Sequence, residues 1–300
     1  MPTDEPYKLK KPLDSLTVAA IRHVVSEGRA LGIDVLLCGA QARVLILEHL
    51  YGNPPSRNTT DVDFAFAVND WPQYEQLKAA LEATGLWQRG KRAHDLHPAK
   101  PGQSMPIDLV PFGVIANLQG DIEWPPKREI AMSVVGFSEA HEAALLVEIE
   151  PDLFISVVSI AGIAMLKLIA WHDRLTRDGG DKHAGDFAQL LRIYGELPLN
   201  YPERIHNRDD VPDTVKDKAD YDTDKYGAWL LGYDVARLAK TLTREKLSQV
   251  FTRNGMLVKH VAKASHFKHD IDLAPEYVDF FWAGYDYAVA EDLNDRIAPD

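Results

Sequence analysis

One cysteine in 300 residues excludes an intramolecular disulfide, and Cys38, at the end of the apolar run 33–38, reads as a small buried residue. Positive charge is scarce: 33 Lys and Arg against 45 Asp and Glu leave a formal charge of −12. Affinity for a nucleic-acid backbone comes from phosphates neutralised by Lys and Arg, so a broad nucleic-acid-binding surface is excluded and only a local basic patch is left. No apolar run is suited to a membrane. The longest, residues 153–171, is interrupted by Ser156, Ser159 and Lys167 and reads as a short strand followed by a helix. No basic-then-apolar leader opens the chain, residues 1–11 being polar and charged, which implies a cytoplasmic protein. Internal repeats and low-complexity tracts are absent as well.

What the chain does have is 46% hydrophobic content, enough for a full core, and a pair of carboxylates at the start of an apolar stretch, Thr60-Asp61-Val62-Asp63-Phe64-Ala65-Phe66. In a strand, residues i and i+2 point to the same face, so Asp61 and Asp63 stand side by side. Like charges that close are costly unless a cation sits between them. Oxygen-only ligands suit Mg2+ or Mn2+ better than zinc. Asp108, between Ile107 and Leu109 on a second strand, is placed to complete a three-carboxylate cluster, the arrangement wanted for two-metal phosphoryl or nucleotidyl transfer. Upstream, residues 33–38 read as a buried strand that runs into Gly39-Ala40-Gln41-Ala42 and a helix over 43–50. Strand, small residues, then helix presents free backbone N–H groups to a phosphate, which assigns Gly39 and Ala40 to a nucleoside triphosphate.

Cys38-Gly39-Ala40, then Arg57-Asn58-Thr59-Thr60-Asp61-Val62-Asp63, then Asp108, resembles the nucleotidyltransferase core of the polymerase β superfamily. The Arg-x-[Ser/Thr]-x-Asp-x-Asp form is similar to that of the AbiEii-type nucleotidyltransferase toxins. Lys167 in Ala164-Met165-Leu166-Lys167-Leu168, then Arg174, then Lys182-His183-Ala184-Gly185-Asp186, is similar to the helical motifs of that family. The resemblance covers residues 33–194. It implies transfer of a nucleoside monophosphate from an NTP to an RNA, such as tRNA, or to a protein, in the toxin arm of a type IV toxin–antitoxin pair with a cognate antitoxin. It also implies Asp186 as a catalytic residue and Arg57 as a phosphate ligand. Two positions depart from the pattern. Ala40 lacks the hydroxyl that a serine would offer the triphosphate, and His183 stands where an acidic residue is frequent.

Periodicity organises the rest. Helices are expected over 16–31 and 71–84, alternating with strands near 33–38, 61–67 and 105–112. After Pro151 helices are expected over 159–177, 182–194, 225–240, 243–262 and 275–291, with a Pro-, Asn- and Asp-rich connection over 198–224. Periodicity thus gives an α/β front half and a mainly helical region after it, with domains 1–152 and 153–300, and the resemblance implies that the front half is an α/β (α+β) nucleotidyltransferase core with a mixed sheet. The acidic run Asp209, Asp210, Asp213, Asp217, Asp220, Asp222 and Asp224 reads as solvated loop. Residues 89–100 are the densest positive stretch, readable as a solvated hairpin or as a contact to acceptor RNA or triphosphate. Lys167 sits among apolar neighbours, so it either snorkels or carries its ammonium to a β- or γ-phosphate, with Arg174 on nearly the same helical face. Two rival readings stand beside the transferase: an HD-type metal phosphohydrolase built on His172-Asp173 with His141 or His183 and Asp186, and a catalytically silent nucleotide-binding scaffold.

Overall fold

The structure, a computed structural model, describes residues 5–53, 59–125, 131–175, 180–200, 203–206, 212–220 and 222–297. Arg57, Asp209 and Asp210 lie outside the described residues. The chain divides into two compact units, Met1–Ile163 and Ala164–Asp300. The first holds the strands β1 (Tyr7–Lys8), β2 (Asp34–Cys38), β3 (Val62–Ala67), β4 (Trp87–Arg89), β5 (Asp95–Pro98), β6 (Ile107–Phe112), β7 (Asp121–Glu123), β8 (Ala131–Ser133), β9 (Leu145–Glu150) and β10 (Leu153–Val157). Its helices are α1 (Ser15–Ala30), α2 (Gly39–Val44), α3 (Trp71–Ala83) and α4 (Phe137–Glu142).

Eight strands form one mixed sheet in the order β1-β9-β10-β2-β3-β6-β5-β4. β3 lies at its centre, antiparallel to β2 and parallel to β6. Val62, Phe64, Ala65 and Phe66 are fully buried, so β3 is covered on both faces, as its near-continuous apolar sequence requires. α1 begins where the Asp14 carboxylate accepts hydrogen bonds from the Leu16 and Thr17 N–H groups, both at 3.0 Å, and it buries Val18, Ile21 and Val24. Gly32, at φ +65°, reverses the chain into β2. α3 is capped in the same way by Asp70, which accepts from Gln73 N at 2.8 Å. β9, Leu-Leu-Val-Glu-Ile-Glu in sequence, is not among the strands expected from the sequence.

The second unit is helical. α5 (Ile160–Asp173) runs into it, followed by α6 (Gly180–Ile193), α7 (Glu203–His206), α8 (Asp213–Lys218), α9 (Thr223–Leu238), α10 (Thr241–Phe251), α11 (Asn254–Ala262) and α12 (Ala274–Ile297). The single helix expected over 243–262 is two, separated at Thr252 and Arg253. The acidic connection is also more structured than a solvated loop. Asp222 caps α9 through the Asp224 and Lys225 N–H groups at 2.9 and 3.2 Å, and Asp224 lies 3.7 Å from Arg192. Tyr194 and Arg204 converge on Asp234 at 2.5 and 2.6 Å, tying α7 to α9. Among the described residues no helix is long and apolar enough to cross a membrane.

Candidate active site

Strand register brings the acidic residues together. Cys38 of β2 is paired with Asp63 of β3, Asp63 with Asp108 of β6, and Asp108 with Asp95 of β5. In-register neighbours on adjacent strands project to the same side, so one rung of the sheet carries three carboxylates in a row at strand spacing. Asp61 stands one residue before β3, and the Thr59 hydroxyl donates to its backbone carbonyl at 3.0 Å and its Oδ1 at 3.3 Å. Asp61, Asp63 and Asp108 each offer an oxygen, and these oxygens lie within 4.8 Å of one another. All three side chains are half-buried. Hard oxygen donors at this separation fit one or two divalent cations of the Mg2+ or Mn2+ kind.

Gly39 closes the cluster from the β2 side. Its φ is +66°, and a Cβ there would lie 1.9 Å from Asp63 Oδ2, so no other residue fits without displacing that carboxylate. α2 starts at Gly39 rather than at Arg43 and continues directly into a π-helical stretch, Leu45–Leu50. Gly39 and Ala40, both half-buried, are therefore the first residues of the helix, where backbone N–H groups have no helical acceptor.

The β4–β5 hairpin supplies the counter-charge. Arg92 Nη2 lies 3.0 and 3.2 Å from the two Asp108 oxygens, and its Nε is 3.1 Å from Asp95 Oδ2. His94 Nε2 is 3.9 Å from Asp108, with the imidazole ring 5.5 Å from that of Trp124, while His97 Nε2 is 3.2 Å from Asp95. Burial raises the Asp108 pKa above the usual carboxylate range; Arg92 and His94 pull it down, and Asp61 and Asp95 push it further up. Burial acts the same way on Asp95, but hydrogen bonds from Arg92 and His97 outweigh it and hold that carboxyl below its usual value.

In the second unit Lys167 neither snorkels nor stands free. Its Nζ is 2.5 Å from Asp186 Oδ2, and both side chains are about nine-tenths buried (11% and 9% exposed). Arg174, just past α5, is exposed. His183 is buried beside this pair, and neither ring nitrogen has a partner among the described residues. Burial, reinforced by Lys167 and Arg174, depresses its pKa to about 3.

Of the residues the sequence singles out, Gly39, Asp61, Asp63 and Asp108 come together in the first unit and Lys167 with Asp186 in the second. Thr59, Arg92 and Asp95 were not singled out, although Arg92 and Asp95 lie in the basic stretch read as a possible phosphate contact. The HD-type cluster does not form: Asp61, Asp63 and Asp108 are the only such ligand group among the described residues. The Asp173 carboxylate, 3.6 Å from His172, is 2.7 Å from the Lys246 ammonium.

No curated relative matches the chain. Among solved structures it is similar to ANT(2")-Ia in complex with adenylyl-2"-tobramycin (14% identity, 57% of this chain and 85% of that one, TM-score 0.37). It is also similar to an antigenic nucleotidyltransferase-like protein from Paracoccidioides brasiliensis (15% identity, 85% and 96%, TM-score 0.42). A third likeness is to the CdnE cyclic dinucleotide synthase of Elizabethkingia meningoseptica with GTP and Apcpp (11% identity, 91% and 92%, TM-score 0.27). These likenesses are too distant to carry the assignment. The sequence carries it, since the family model of the nucleotidyl transferase AbiEii toxin of type IV toxin–antitoxin systems matches residues 34–253, the span that holds Gly39, the acidic rung and the Lys167–Asp186 pair. The chain thus belongs to the AbiEii family of nucleotidyltransferase toxins.

Proposed function

We propose that the protein transfers a nucleoside monophosphate from an NTP to an oxygen nucleophile on an RNA, such as tRNA, or on a protein, in a Mg2+-dependent reaction in the cytoplasm. The observation that carries this reading is the convergence of Asp61, Asp63 and Asp108 beside a helix start at Gly39, with oxygens within 4.8 Å of one another. The three carboxylates would hold two divalent ions. Bound there, such ions supply charge neutralisation at the α-phosphate and lower the pKa of the attacking hydroxyl. The chain's own groups do the rest. The Gly39 and Ala40 N–H groups hold phosphate oxygens, Thr59 fixes the orientation of Asp61, Lys167 with Arg57 or Arg174 steadies the leaving pyrophosphate, and Asp186 is, by the resemblance, a further catalytic residue. The acceptor oxygen forms its bond to the α-phosphorus as the bond to the β-phosphate bridge breaks, and the acceptor proton passes to a carboxylate or to water. A cognate antitoxin would bind the toxin or oppose its action.

The test is incubation of the protein with each α-labelled NTP, Mg2+ or Mn2+, and total cellular RNA or protein. Label should enter one acceptor class with wild-type protein and none with Asp63→Asn, whose amide keeps the shape but loses the charge. Incorporation that survives Asp61→Asn and Asp63→Asn alike would overturn the assignment.

A further inference from the structure

We propose that Arg92 is a resident counter-cation of the acidic rung, which holds Asp108 in the metal-free protein and is displaced from it when a divalent ion binds. This rests on the reading of Asp61, Asp63 and Asp108 as a metal site. Arg92 Nη2 contacts both Asp108 oxygens, at 3.0 and 3.2 Å, so the guanidinium engages the carboxylate that an ion would use. Guanidinium and metal carry the same sign of charge, and the two cannot share that carboxylate without repulsion.

The placement is built rather than incidental. The Lys78 side chain, 3% exposed, donates to the Ala93 carbonyl at 2.5 Å, and Leu109 N donates to the His94 carbonyl at 2.8 Å. Asp95 Oδ1 accepts from Arg92 N at 3.0 Å, and a Cβ at Gly90 would lie 2.2 Å from that same oxygen. These contacts fix the backbone that presents Arg92. The Arg92 side chain is 57% exposed, so it can leave Asp108 without unpacking a core. Its second hold, Nε to Asp95 Oδ2 at 3.1 Å, need not break. Asp95 thus keeps the displaced cation at the edge of the site. Arg92 is a positioning residue in this scheme, and its effect is felt first in metal affinity.

Mn2+ binding without nucleotide, measured by titration calorimetry, tests the exchange. Arg92→Gln should bind Mn2+ about 10-fold more tightly than wild type, because a like charge beside the ion is gone, and Arg92→Lys should fall between. Unchanged or weaker Mn2+ binding in Arg92→Gln, with wild-type binding that Asp63→Asn removes, overturns the exchange while leaving the metal site standing. Absence of saturable Mn2+ binding in wild type and Arg92→Gln alike overturns both. A second measurement needs no altered turn. The Arg92 side-chain resonance in wild-type protein, assigned by its loss in Arg92→Lys, should shift saturably with Mg2+ and not in Asp63→Asn. A resonance that stays in place while Mg2+ binds saturably refutes the proposal.

Discussion

His183 places an imidazole in the helical unit with no partner for either ring nitrogen among the described residues, and the sign of its contribution can be worked out. Its pKa is about 3 in the folded protein against the usual 6.5, so between these values the unfolded chain binds the extra proton. Stability from this group is complete above about pH 6.5 and is lost as pH falls towards 3, with a slope of at most about 1.4 kcal/mol per pH unit. Urea melts of His183→Gln across pH 7 to 4 should therefore show a flatter acid limb than wild type, and parallel limbs would refute it. At Gly39 both backbone and space resist a side chain, so Gly39→Ala should cost about 1–3 kcal/mol in a denaturation series and abolish transfer. That Asp61, Asp63 and Asp108 cluster is legible in the sequence, because the i and i+2 spacing at one apolar strand start and a third Asp at another put carboxylates at strand ends. The roles of Arg92 and Asp95 are not. Their meaning depends on the register of the β4–β5 hairpin against β6, and a polar stretch with no periodicity does not encode that register.

At the level of elements, α9 and α12 meet backbone to backbone. A Cβ at Gly232 would lie 1.8 Å from the Phe281 carbonyl oxygen, and one at Gly284 would lie 2.0 Å from that of Trp229. Either alanine must push the helices apart along a seam that also buries Trp229, Phe281 and Trp282. Gly232→Ala and Gly284→Ala are each expected to destabilise the protein by about 1–3 kcal/mol or more, despite alanine's better helix propensity, and an unchanged or higher Tm would count against this packing. The strands β2, β3 and β6 and the helices α1, α3, α5, α6, α9 and α12 follow from periodicity and caps. The misread elements share a cause. The break between α10 and α11 lacks proline, and it is fixed by a distant contact, Trp282 Nε1 donating to Asn254 Oδ1 at 3.1 Å. β9 earns its place through pairing with β1 and β10, which local sequence does not reveal.

For the molecule as a whole, the competing readings separate in a thermal-shift experiment. A ligand that binds only the native state adds RT ln(1+[L]/Kd) to its stability, about 2.7 kcal/mol at a 100-fold excess over Kd. NTP with Mg2+ should raise the Tm, Asp63→Asn should remove the rise, and His172→Ala should leave it; the reverse pattern would favour an HD-type hydrolase. The rung of Cys38, Asp63, Asp108 and Asp95 has a further consequence for such a protein. It draws one residue from each of four strands, and a strand that slips by a single position turns its contribution to the opposite face. A collapsed but misregistered chain would therefore lack the carboxylate cluster. Correct pairing across the centre of the sheet is thus a precondition for Asp63 and Asp108 to stand beside Asp61 at all.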